Sequence, residues 1–108
     1  MKEIKAYIKA MKREAVALAL HEIEGVQGAS FSDVIGFGRG KADSAGYSPS
    51  ADPSGYVKHV KVEVVCDDSL ADKVIHAIHR SAHTGLRGDG HIFVTDIEHK
   101  IRIQEAFE

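Results

Sequence analysis

Hydrophobic spacing along this 108-residue chain switches from a period of two to a helical period and back, and it does so twice. Residues 3–9, EIKAYIK, alternate: Ile4, Ala6 and Ile8 fall on one face, and Lys5, Tyr7 and Lys9 on the other, as in a half-buried strand. From Lys12 to Glu24 the spacing becomes helical, with Val16, Ala19, Leu20 and Ile23 on one stripe and Gly25 as a stop signal. Residues 29–37, ASFSDVIGF, read as a second strand. VKHVKVEVV, from Val57, alternates again, with Val60, Val62 and Val64 on one face. From Asp68 to Ala82, Leu70, Val74 and Ile78 recur every fourth residue, the pattern of a second amphipathic helix whose start Asp67 or Asp68 can cap. Residues 91–97, HIFVTDI, form a fourth strand, and KIRIQ, 100–104, a short last one.

The resulting order, βαββαβ plus a short C-terminal strand, predicts an α+β fold of the ferredoxin-like, split βαβ kind over a single domain, 1–108. Two helices cover one face of an antiparallel sheet. The other face is then either wet or buried in an oligomer; it carries Tyr7, Val65 and Phe93, apolar enough for neighbours to cover. Between the second and third strands lies GRGKADSAGYSPSADPSGY, 38–56, rich in Gly, Ser, Ala and Asp and holding both prolines; it reads as a long loop at a hairpin tip.

Charge and cysteine content narrow the function. A net charge of -2 argues against general nucleic-acid or anionic-membrane binding. A single cysteine, Cys66, excludes an internal disulfide framework and fits a reducing compartment. With no export signal and no membrane-length apolar run in the sequence, a cytoplasmic protein without membrane insertion is expected. No acid–base or nucleophile–base constellation stands out, so the chain is not expected to be an enzyme.

The corner between the second helix and the fourth strand, HTGLRGDG, is richer than a tight turn needs. Gly85, Gly88 and Gly90 can adopt positive φ and turn successive amides toward an anion, with Arg87 nearby; the alternative is a glycine turn in which Asp89 fixes its own backbone. The corner follows a helix and precedes a strand, so it is no dinucleotide fingerprint. GFGRGKA, 36–42, is no Walker loop, since Lys41 is followed by Ala42. His76, His79 and His83 share one helix face and are candidate zinc or copper ligands; the alternative is a solvated, titratable face.

GFGRGK at 36–41, VKVEVV at 60–65, HTGLRGDGHIFV at 83–94 and IRI at 101–103 resemble, in order, the motifs of the PII signal-transduction proteins, with the likeness running from about residue 2 to 104. The wording of GFGRG, HTGLRGDG and GVQGAS is most similar to a divergent PII-like subgroup commonly encoded beside heavy-metal efflux pumps. The resemblance implies a trimer binding an adenine nucleotide (ATP, ADP or AMP) between subunits. Its T-loop, here 38–56, docks on a protein partner such as a membrane transporter or an enzyme. Its B-loop, here 83–91, holds phosphates. It implies that Gly36, Phe37, Gly38 and Arg39 wrap the nucleotide, that Glu63 and Val64 line the base with Ser30 from the neighbour, that Gly88, Asp89, Gly90 and the His91 position hold phosphate, and that Arg102 pairs with it.

Five positions depart from the PII pattern. Gly40 stands for a glutamine that helps hold Mg and 2-oxoglutarate, leaving the Mg requirement open; His59 stands for a lysine that grips 2-oxoglutarate. His91 and Gln104 stand for a lysine and an arginine at the phosphates, and Asp52 for the uridylylated tyrosine. The expectation is a PII-like regulator that is no standard 2-oxoglutarate sensor; the alternative is a metal-responsive module using the surface histidines.

Overall fold

The computed structural model describes residues 1–37 and 56–106. The expected βαββαβ order is present: β1 (Lys2–Ile8), a 3-10 turn (Ala10–Lys12), α1 (Arg13–His21), β2 (Ser30–Gly36), β3 (Val57–Cys66), α2 (Asp68–Ala82) and β4 (His91–Asp96). The four strands form one antiparallel sheet in the order β2-β3-β1-β4. This is the ferredoxin-like arrangement.

Strand register explains the two faces. Ile4 pairs with Val64 and Val94, Ala6 with Val62 and Ile92, and Ile8 with Val60, so these side chains share one face. That face is dry: Ile4, Ala6, Val60, Val62 and Val64 are buried against Val16 and Leu20 of α1 and Val74 and Ile78 of α2. Burying each such branched side chain stabilises the fold by roughly 1.5–3 kcal/mol relative to exposure. Glu3, Lys5, Tyr7, Lys61, Glu63, Val65, His91 and Phe93 take the opposite parity and stand on the open face. There Tyr7 meets Phe93 edge-on, with ring centroids 6.2 Å apart, and His91 stacks on Phe93 at 6.1 Å.

Three local expectations need correction. The first helix does not run from 12 to 24. Its entry is the 3-10 turn, and beyond His21 the chain closes tighter turns, Ile23 N–H to the Leu20 carbonyl at 3.2 Å and Val26 N–H to the Ile23 carbonyl at 3.3 Å. Gly25, at φ 97°, lets the chain pass under Leu70: a β-carbon there would stand 2.9 Å from a Leu70 methyl group. At α2, Asp67 occupies the N-cap position without a side-chain cap bond, and Asp68 pairs instead with the Met1 amino group at 2.6 Å.

The third correction concerns 100–104, which is not a strand. The last ladder-like bond runs from Ile97 N–H to the Met1 carbonyl at 3.0 Å, after which the chain leaves the sheet and turns, with Glu105 N–H bonded to the Arg102 carbonyl at 3.0 Å. Among the described residues this segment pairs with no strand, and Ile103 is fully exposed. Among the described residues, no helix is long and apolar enough to cross a membrane.

Candidate functional site

The corner after α2 is built around one carboxylate. α2 ends as His83, its C-cap, turns to an extended conformation. Asp89 then reaches back: its Oδ2 accepts from the Thr84 and Gly85 amides, each at 2.9 Å, and its Oδ1 from the Thr84 hydroxyl. The Lys9 ammonium, at the end of β1, stands 3.2 Å from the same Oδ1. Thr84 Oγ1 in turn accepts from the Leu86 amide and from Lys9 Nζ, both at 3.1 Å. The Thr84 hydroxyl, then the Thr84 and Gly85 amides and Lys9, hold the Asp89 carboxyl well below the usual carboxylate range.

The glycines do what the spacing suggests. Gly85, Gly88 and Gly90 all have positive φ, at 81°, 84° and 101°. Gly90 has a further reason, for a β-carbon there would stand 1.6 Å from the Tyr7 carbonyl oxygen. The open choice between anion nest and self-fixing turn resolves by position. The amides of residues 84 to 86 are satisfied inside the corner, which confines any anion cradle to the amides after Leu86. Asp89 acts as the acceptor that shapes the corner; its carboxylate offers an anion no hydrogen-bond donor.

Lys9 and Thr84 are the residues that sequence reasoning missed. The signal for Thr84 was present: a threonine two before Leu86 and five before an aspartate can close an ST-turn. Lys9 had no local signal, because its partner lies across the sheet.

The remaining site candidates fall into separate groups. Gly36 pairs with Val57 at the Ile8 end of the sheet, on the β2 edge, and Phe37 follows with 70% exposure. The corner lies at the same end beside β4, three strand spacings away, about 14 Å. Ser30 is the register partner of Glu63 within one chain, although the resemblance draws its base contact from a neighbour. Val64 is 1% exposed with its side chain in the core, so a contact to a base there would be made by its backbone. Arg102 leaves from the far end of β4, about 17 Å of strand from the corner, and its guanidinium donates to Gln104 at 3.4 Å. Gly38, Arg39 and Gly40 lie outside the described residues, as does most of the 38–56 loop. A groove of about 430 Å³ adjoins the corner on the helix side, walled by Ile75, Ile78, Ala82 and Ile92.

The three helix histidines do not act as one set. His79 and His83 stack, with ring centroids 5.5 Å apart, but among the described residues no group of three His, Cys, Asp or Glu side chains converges as a metal site. Burial pushes the Cys66 thiol up, consistent with a core residue and not a nucleophile.

Comparison with known proteins identifies the family. The family model for nitrogen regulatory protein P-II matches residues 1–106. A protein of that name from Azospirillum brasilense is 43% identical over 104 residues, 96% of this chain and 92% of the relative. One from Rhodospirillum rubrum is 43% identical over the same shares, and one from Haemophilus influenzae is 41% identical over 108 residues, all of this chain and 96% of the relative. An open sheet face, the antiparallel pair β2 and β3 and a glycine corner at 85–90 thus sit on a chain that belongs to the nitrogen regulatory protein P-II family.

Proposed function

We propose that this chain is a regulatory protein of the P-II type, not an enzyme, that binds an adenine nucleotide between the subunits of a homotrimer in the cytoplasm. Its output is the 38–56 loop, which engages a protein partner, a membrane transporter or an enzyme, according to whether phosphates hold Arg39.

One observation carries the reading. The loop root at Gly36 and Phe37 and the corner at Gly88 and Gly90 share one end of the sheet but occupy opposite edges, β2 and β4. About 14 Å of intervening strands separates them within one chain, so no single phosphate group can touch both. Set edge against edge, two copies bring a loop root to a corner and form one cleft. The open face, with Tyr7, Val65 and Phe93, supplies apolar surface for that association.

The test is calorimetric titration of ADP into the wild type and into the Arg39→Ala, Arg102→Ala double variant. Each lost charged hydrogen bond costs about 1.5–3 kcal/mol, so the double variant should bind at least about a hundredfold more weakly. Unchanged ADP affinity would remove this site assignment.

A further inference from the structure

We propose that His79 and His83 form a two-histidine site for a divalent late transition-metal ion at the C-terminal end of α2, and that His76, although on the same helix face, is not part of it. This goes beyond the nucleotide reading and does not depend on it.

The backbone sets the pair. The His83 amide donates to the His79 carbonyl at 3.0 Å, so the two residues are related by a full helical turn. His83 has φ -68° and ψ 129°. Its φ, which orients the side chain, is helical; only its ψ departs, and that redirects the chain after it. The helix thus ends without disturbing the pair. The imidazoles lie 5.5 Å apart between centroids, with their planes within 24° of parallel.

That spacing suits chelation. Zinc–nitrogen bonds are about 2.1 Å and the ring centre lies about 1.1 Å behind the donor, so two imidazoles at a tetrahedral angle have centroids about 5.2 Å apart. The observed separation is within a few tenths of an ångström of this. What remains is rotation of each ring about its Cβ–Cγ bond, a soft torsion. Both side chains are exposed, so a hydrated ion can reach them. The end of a helix also favours a cation.

The site is two-pointed on the protein side. Asp89 borders the same groove, but its oxygens are taken by Thr84, Gly85 and Lys9, and among the described residues no third His, Cys, Asp or Glu joins the pair. Water completes the coordination. Imidazole donors select zinc, nickel and copper over magnesium and calcium. The His83 ring also lies against the corner, its Cε1 3.7 Å from the β-carbon position of Gly85, so a bound ion sits where α2 passes into the glycine turn.

The experiment is calorimetric titration of zinc chloride into the nucleotide-free full chain, with His79→Gln, His83→Gln and His76→Gln variants and a thermal melt for each. The expected result is one zinc per chain, weakened at least about tenfold by either His79→Gln or His83→Gln and unchanged by His76→Gln. Absence of zinc heat, retention of affinity in the His79→Gln, His83→Gln double variant, or an equal loss in His76→Gln would overturn it. Because no nucleotide is present, failure here leaves the ADP reading standing, and failure of the ADP titration leaves this one standing.

Discussion

Gly90 lies directly against Tyr7: a β-carbon at position 90 would stand 1.6 Å from the Tyr7 carbonyl oxygen and 2.7 Å from its carbonyl carbon. The clash would be with backbone, which has no rotamer to escape into. This contact seats the glycine corner on the end of β1, and Gly90 also holds φ at 101°.

Gly90→Ala should therefore destabilise the fold by about 3 kcal/mol or more, through overpacking and left-handed strain together. Gly28→Ala is the control, since nothing lies within 4 Å of a β-carbon there; it should change stability by no more than about 0.5 kcal/mol. Denaturant unfolding of both variants measures the difference. Equal effects would mean the corner does not rest on β1.

Asp89→Asn removes the charge that Lys9 and the Thr84 and Gly85 amides recognise, and should cost about 1–3 kcal/mol at neutral pH. The folded-state pKa of Asp89 is depressed below its ordinary 3.8, so its contribution is complete above that value and is lost as pH falls through the lower folded value. The stability gap between wild type and Asp89→Asn should stay constant from pH 8 to about 5 and shrink under stronger acid. A gap that closes near pH 6 would assign the effect to another group.

Phe93 is 52% exposed on the open face and touches Tyr7 edge-on, outside the helix-covered core. Phe93→Asp should dissociate the proposed trimer while leaving the far-ultraviolet circular dichroism of the chain intact. Light scattering at micromolar concentration reads the mass. A wild type that is already monomeric would remove the intersubunit cleft.

ADP should compete with ATP better here than the PII pattern implies. In the proposed nucleotide cleft, His91 and Gln104 would stand where the PII pattern has a lysine and an arginine toward the outer phosphates; the His91 ring stacks on Phe93 along the open face. Each absent charged contact should weaken ATP binding by about 1.5 kcal/mol. Displacement titrations should give ADP an affinity within about tenfold of ATP. A larger preference for ATP would assign the outer phosphates to another cation.

Under the proposed reading, Gly40 and His59 stand where the PII pattern places a glutamine and a lysine on 2-oxoglutarate, and neither supplies that amide or permanent cation. Titrating 2-oxoglutarate in the presence of Mg-ATP should give no binding heat at physiological concentrations. Restoring both residues, as Gly40→Gln with His59→Lys, should bring binding back.

Element order, the dry face of the sheet and the glycine requirement of the corner were legible in the sequence alone. Periodicity and positive-φ chemistry are local properties: Ile4, Ala6 and Ile8, or Val74 and Ile78, declare their face by spacing whatever packs on them. The resemblance in GFGRGK and HTGLRGDG located the family for the same reason, because contiguous motifs survive being read one at a time. Only the tertiary structure decided which distant residues meet. Lys9 reaches Asp89 and Gly90 abuts Tyr7 because β1 and β4 pair, a register set by the whole core. KIRIQ, despite its strand-like alternation, joins neither outer edge of the sheet, and the same pairing sets Gly36 beside one edge strand and the glycine corner beside the other. A strand exists only with a partner, and a site only where edges face each other. Both depend on contacts far apart in the chain, which no local pattern encodes.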